Sequence, residues 1–341
     1  MNVLIFIGVI RRTPICGVSM KNHLFLERFR EVYDKVIPID TSDPKHHPGF
    51  ILSLLWSLLC YRDATIIIST NNKEADFWVK FFKRIQKHNV FNWVVGGTFH
   101  LALEKGEYNV DDYAYLKGIF VQSIRMEDKI KELGLNNVKY VPNSKRIDYY
   151  PMISVKCQGL VRFVFLSRIH PDKGCDLIIS ATKRLNELGY GSRFTVDFYG
   201  KIETAYQEEF INQVSQIDNI NYNGFLDLTK TEGYQTLSSY DMMLFPTFWE
   251  GEGFPGVLID AFIAAVPVLA SDWHFNPDII DETTGIIIPH HSLESLFTEM
   301  KAVIDGIYDV TQMSNASQRE AHQYDNRVVL SAENLKYLGL L

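Results

Sequence analysis

The chain has 341 residues, 46% of them apolar and 22% charged. At roughly 100–200 residues per domain that leaves room for two domains, each with its own core. The composition excludes disordered, collagen-like and low-complexity chains, and a net charge of −7 gives no overall attraction for nucleic acid.

The opening run, MNVLIFIGVI, lacks the basic leader and small-residue cleavage site of a signal peptide. Residues 2–10 read as a strand buried on both faces. Residues 22–32 have helical spacing at Leu24, Phe25, Phe29 and Val32. Residues 36–39 and 64–69 are strand-like. Between them, residues 50–60 form the longest apolar run, about half of what a membrane span needs. A helix over 75–86 and strands over 91–95, 118–122 and 138–141 complete a first set. Short apolar runs alternating with amphipathic segments imply a parallel sheet with helices on both faces.

After an irregular stretch, 143–158, the rhythm restarts. Strands are expected at 160–166, 194–199, 219–222, 242–245, 268–270 and 285–288. Helices are expected at 175–188, 206–214, 229–239 and 257–265. The hinge falls near 143–160, between two Rossmann-like sheets facing each other across a cleft. The tail, 317–341, reads as helical and is free to pack on either domain. The four cysteines, Cys16, Cys60, Cys157 and Cys175, show neither CxxC nor zinc-ligand spacing and read as free thiols of a reducing cytosol.

Open parallel sheets bind ligands beyond the carboxyl ends of their strands. Two such stretches stand out. FWEGEGFPGVLIDA, residues 248–261, places three glycines, a proline and the acids Glu250 and Glu252 between a strand and a helix starting near Gly256. Asp260 lies one turn into that helix. Free amides at such a helix start attract anions. SRIHPDKG, residues 167–174, places Arg168 and Lys173 directly after a strand. A guanidinium fork and an ammonium both suit a diphosphate.

Together these stretches resemble glycosyltransferase family 4, whose members have the GT-B fold. Arg168 and Lys173 keep the spacing of the family's G-R-x-x-x-x-K-G, with Ser167 at the glycine. Glu252-Gly253-Phe254 and Asp260 keep the spacing of its E-G-F-G-x-P-x-x-E, with Asp for the second Glu and the proline shifted. Residues 264–272, AAVPVLASD, are similar to its G-x-P-V-I-A-S, with Ala265 at the glycine. The resemblance covers most of 160–290.

The resemblance implies a first domain, 1–150, that binds the acceptor, and a second, 151–317, that binds a nucleotide-sugar donor, with 318–341 returning to the first. It assigns Arg168 and Lys173 to the diphosphate, Glu252 to the transferred sugar, Asp260 to the ribose, and the Gly253 and Phe254 amides to sugar and phosphate. Gly17 looks like the remnant of the family's glycine loop, with a plain turn as the alternative. His100, after Gly96-Gly97, stands where family members have a cleft histidine, with a structural hydrogen bond as the alternative. The expected activity is retaining hexosyl transfer to a saccharide or lipid-linked acceptor in surface polysaccharide assembly, with no cofactor and no metal. No D-x-D pair is present. Histidines 46, 47, 290 and 291 read as loop residues. Lys80, Lys83, Arg84 and Lys87 give residues 77–87 a basic face suited to anionic lipid, with a core helix as the alternative. The location implied is cytoplasmic, with peripheral membrane contact.

A dehydrogenase is disfavoured because no G-x-G-x-x-G follows the first strand. A non-catalytic sugar-nucleotide-binding subunit would need Arg168 and Lys173 but not Glu252.

Overall fold

Runs of Val, Ile and Phe with no polar face pair as parallel strands covered on both sides. In the computed structural model, which describes residues 1–10, 17–43 and 49–341, they build two units. One is Met1–Arg146 with Tyr324–Leu341; the other is Ile147–Gln323. The chain thus divides after residues 146 and 323 rather than after 150 and 317.

In the first unit β1 (Val3–Gly8), β2 (Lys35–Asp40), β3 (Thr65–Ser69), β4 (Val90–Trp93), β5 (Gly118–Val121) and β6 (Val138–Tyr140) form a parallel sheet in the order β2-β1-β3-β4-β5-β6. The helices between them are α1 (Gly17–Val32), α2 (Gly49–Cys60), α3 (Asn72–Arg84), α4 (Phe99–Glu104), α5 (Val110–Ala114) and α6 (Ile124–Glu132). The strand order reverses between β1 and β3. There Asn22 of α1, fully buried, donates from Nδ2 to the Ser69 carbonyl at 3.0 Å and accepts from the Ser69 hydroxyl at 2.7 Å.

The second unit repeats the plan. Its strands are β7 (Val161–Leu166), β8 (Phe194–Tyr199), β9 (Ile220–Tyr222), β10 (Met242–Phe245), β11 (Val268–Ser271) and β12 (Gly285–Ile288), all parallel, in the order β12-β11-β10-β7-β8-β9. Its helices are α7 (Cys175–Glu187), α8 (Gln207–Val214), α9 (Thr231–Ser238), α10 (Gly256–Ile263), α11 (Asn276–Ile279), α12 (Leu293–Ile304) and α13 (Val310–Ala321). The reversal here lies between β7 and β10. Ligand crevices of doubly wound sheets open at such reversals.

The remaining helices, α14 (Asn326–Val329) and α15 (Ala332–Leu338), belong to the first unit. Val329, Leu330, Leu335, Leu338 and Leu340 are buried in one cluster with Phe6, Phe25, Phe29 and Trp93. Arg28 Nε donates to the Leu330 carbonyl at 3.0 Å, and the Tyr33 hydroxyl donates to that of Leu340. Each such aliphatic side chain contributes about 1.5–3 kcal/mol on burial. A chain ended at Gln323 should therefore lose the cooperative unfolding transition of the first unit and keep that of the second, as read by urea titration.

Candidate functional site

The loops after β7 and β10 leave the sheet side by side at the reversal. After β7 the chain passes Ser167 and Arg168 into a single 3-10 turn, Pro171–Lys173. His170 caps that turn, its Nδ1 accepting from the Asp172 amide at 3.1 Å. Gly174 then starts α7 at φ +79°. A Cβ on Gly174 would sit 2.3 Å from the Pro246 carbonyl oxygen, so only glycine lets this turn lie against the strand end beside it. The Phe248 amide donates to the Asp172 carbonyl at 2.8 Å, tying the two loops together.

The result is a buried charge pair. Lys173 Nζ bonds Glu252 Oε2, their side chains 7% and 12% exposed. The hydroxyl of Thr247, itself fully buried, donates to the same carboxylate oxygen at 3.2 Å. The Thr247 carbonyl is in turn held by the Ser271 hydroxyl at 2.5 Å. Removing one partner of such a pair strands a buried charge, a change worth about 3–5 kcal/mol.

Arg168 lies exposed over the Trp249 ring, 4.7 Å from its centroid. No carboxylate pairs with it among the described residues, so its fork is available to a ligand. Asp260, the fifth residue of α10, is buried and accepts from the Tyr234 hydroxyl at 2.7 Å. Burial first, then the Asp260 charge, hold the Tyr234 phenol far above its ordinary range, so it remains a donor. Phe254 buries its ring, which anchors the loop. Gly253 is half-buried between Phe254 and Glu252.

The Glu252 loop is also supported from its far side, by residues that the sequence reading passes over. Trp273 Nε1 donates to the Trp249 carbonyl at 2.8 Å, and His274 Nε2 lies 3.0 Å from that of Glu250. His274 and His291 adopt φ +47° and +57°, a cost of order 1–3 kcal/mol each that the surrounding packing sustains. His290 and His291 are exposed, but their rings pack on Trp273 and Phe248, and His290 Nδ1 lies 2.7 Å from the Asp272 carboxylate.

The other two expected site residues belong to the first unit. Gly17 opens α1, exposed, and no atom of the described residues lies within 4 Å of where a Cβ would be. The glycine that close packing requires is Gly8, whose Cβ would lie 2.6 Å from the Ser69 carbonyl oxygen. His100 is the second residue of α4, half-buried, beyond Gly96 at φ +92°. Cys16, His46 and His47 lie outside the described residues; Cys60, Cys157 and Cys175 are free thiols. Among the described residues no group of three or more His, Cys, Asp or Glu is placed to hold a metal ion.

Lys21, one residue before Asn22, has no signal in the sequence pattern. Its ammonium is buried 5.5 Å from the Phe25 ring centroid, with no hydrogen-bond partner among the described residues. Burial lowers its pKa from 10.5 to about 7.

Residues 161–305 match the family model described as glycosyl transferases group 1. The matched residues lie within the second unit. The match spans both loops of the site and less than half of the chain. No curated protein matches the chain. Among solved structures, the chain is similar to Anabaena Alr3699/HepE in complex with UDP, at a TM-score of 0.74 and 12% identity, covering 100% of both chains. It is similar to sucrose-phosphate synthase from Thermosynechococcus elongatus at 0.73 and 12%, covering 99% and 98%. The lipopolysaccharide outer core galactosyltransferase WaaB, apo form, gives 0.63 and 12% over 99% and 100%. At these identities the likeness shows the fold, a GT-B-like pair of Rossmann-like units.

Two stability predictions follow from these geometries. Gly174→Ala should destabilise the second unit by roughly 2–4 kcal/mol, combining left-handed strain with a backbone clash, measured from the urea midpoint. For Lys21 the sign runs upward with pH. Between pH 7 and 10 the unfolded chain holds a proton that the folded one has released, so stability of the first unit should rise with pH across that window. Lys21→Met should remove the rise and raise the melting temperature at pH 7.

Proposed function

We propose that the chain is a retaining glycosyltransferase that moves a sugar from a nucleotide diphosphate to a hydroxyl of a saccharide or lipid-linked acceptor. The observation that carries this is the arrangement at the β7–β10 reversal. Arg168 has a free guanidinium there, and Lys173 is held beside Glu252 by Thr247. An ammonium has three donors. One goes to Glu252, which leaves two for diphosphate oxygens.

In the reaction the bond from the anomeric carbon to the diphosphate oxygen breaks, and its electron pair stays on the diphosphate. The acceptor oxygen bonds the anomeric carbon, and its proton passes to the departing diphosphate oxygen. Arg168, Lys173 and the first turns of α7 and α10, which no side chain caps, stabilise the charge that grows on the leaving group. Glu252 bonds hydroxyls of the transferred sugar and stabilises positive charge at its anomeric carbon. Asp260, oriented by Tyr234, receives ribose hydroxyls. The Gly253 and Phe254 amides face sugar and phosphate. His100 and Gly17 of the first unit keep the roles that the family resemblance assigns, His100 on the sugar and Gly17 beside a phosphate or acceptor.

The group 1 match and HepE, solved with UDP and with UDP-glucose, support the donor class. WaaB, a lipopolysaccharide outer core galactosyltransferase, supports a role in surface polysaccharide assembly, and a cytoplasmic location is part of the same proposal. The pairing of Glu252 with Lys173 favours catalysis over a non-catalytic binding subunit, because diphosphate binding alone has no use for a buried acid.

Glu252→Gln should keep nucleotide diphosphate affinity within a few-fold and slow transfer by roughly 10²-fold or more. Wild-type turnover in that variant would overturn the assignment, and product anomer by NMR reads retention directly. Arg168→Ala should weaken UDP binding by about 1.5–3 kcal/mol in calorimetry. Protein cations take the place of a divalent ion in this reading, so transfer should survive EDTA and change less than about threefold with added magnesium.

A further inference from the structure

Helix α2 has no part in the chemistry above. Its twelve residues, GFILSLLWSLLC, include no charged side chain. Leu54 and Ser57 are buried, and the Phe50 ring meets Trp78 of α3 with centroids 6.4 Å apart. The opposite side is bare. Ile51, Leu52, Leu55, Trp56 and Leu59 are 47, 72, 45, 69 and 70% exposed. Their spacing of i, i+1, i+4, i+5 and i+8 sets them in one stripe. Phe77 on neighbouring α3 is a further 60% exposed. A stripe of this kind marks an interaction surface, whereas single exposed apolar residues do not.

Charge identifies what covers it. Residues 49–88 carry six Lys or Arg against three Asp or Glu, a local +3 in a chain of −7. On α3 the expected basic face is partly spent, since Lys80 pairs with Asp76 and Lys83 with Asp112, each at 2.7 Å. No ion pair joins Arg62, Arg84 or Lys87 among the described residues. Lys87 Nζ donates to the Arg62 carbonyl, and Lys35 Nζ to the Tyr61 hydroxyl at 2.7 Å, so cations without an ion pair among the described residues gather where α2 ends, with Asp63 the acid that acts on Lys87. A second copy of this face, related by a two-fold axis, would set those cations against themselves. An anionic lipid surface meets both the stripe and the charge. Twelve residues rise about 18 Å, short of a bilayer's roughly 30 Å hydrocarbon core, and no helix among the described residues is long and apolar enough to cross a membrane.

The geometry points to α2 as an in-plane anchor on bilayers that carry anionic lipid. Its apolar stripe lies at the acyl boundary, the Trp56 indole at headgroup level, and Arg62, Arg84 and Lys87 among the lipid phosphates. The membrane-facing element is thus α2, with α3 supplying flanking charge. The inference stands apart from the proposed reaction, and its test does not use turnover.

The full chain should sediment with vesicles of phosphatidylcholine mixed with phosphatidylglycerol, and far less with phosphatidylcholine alone. Leu52→Asp with Leu59→Asp should lower the bound fraction about tenfold, as should Arg62→Glu with Arg84→Glu. Brominated lipid should quench wild-type emission more than that of Trp56→Phe. All five substituted side chains are exposed, and an unchanged urea transition of the first unit confirms that the variants fold. Wild-type protein left in the supernatant would overturn the inference. So would variants that bind like wild type, equal binding to neutral vesicles, or a lipid-free dimer that Leu52→Asp with Leu59→Asp dissociates.

Discussion

The site in the second unit depends on one close approach, Gly174 against the Pro246 carbonyl. That contact lets the turn after β7 settle on the end of β10, which carries Lys173 to Glu252 across 79 residues of sequence. Everything else at the site is arranged around the resulting charge pair. Thr247 holds the acid, Ser271 holds Thr247, and Trp273 and His274 hold the carbonyls of the loop on its far side. A buried pair of this kind contributes little net stability. Its value lies in fixing two functional groups relative to each other before a ligand arrives.

Strands and helices are legible in this sequence because their apolar runs are long and pure. The strands at 194–199, 242–245 and 285–288 have the limits that the sequence pattern implies; β10 and β12 carry no polar side chain, while Thr195 and Asp197 lie inside β8 without ending it. Arg168, Lys173, Glu252 and Asp260 are legible because strand ends precede them and their spacings match a known pattern. The supporting residues are not. Trp273 and His274 act through hydrogen bonds to backbone carbonyls 24 residues away, and Thr247 through one to a carboxylate five residues on; such bonds leave no period in a sequence. The requirement for glycine at position 8 is equally hidden, because it arises from the neighbouring strand β3 and from Asn22.

The two sheets share a plan but reverse at different places, one between β1 and β3, the other between β7 and β10. The reversal in the second unit gathers opposite charges that satisfy one another. The reversal in the first is stitched by neutral groups, Asn22 and Ser69, with the Lys21 ammonium, which has no hydrogen-bond partner among the described residues, adjacent in sequence. Fold similarity therefore does not carry chemistry from one half to the other; the side chains at each reversal decide it.

The return of residues 324–341 to the first unit has a consequence for synthesis. The second unit is, in effect, an insertion into the first, and it can close its core as soon as it leaves the ribosome. The first unit cannot, since Phe25, Phe29 and Trp93 await Leu335 and Leu338. The intervening residues 147–323, made at roughly 5–20 per second, leave that apolar surface without its cover for on the order of ten seconds or longer. During that interval the half translated first is the half completed last, and its uncovered sheet face is where a chaperone, or an aggregate, would take hold.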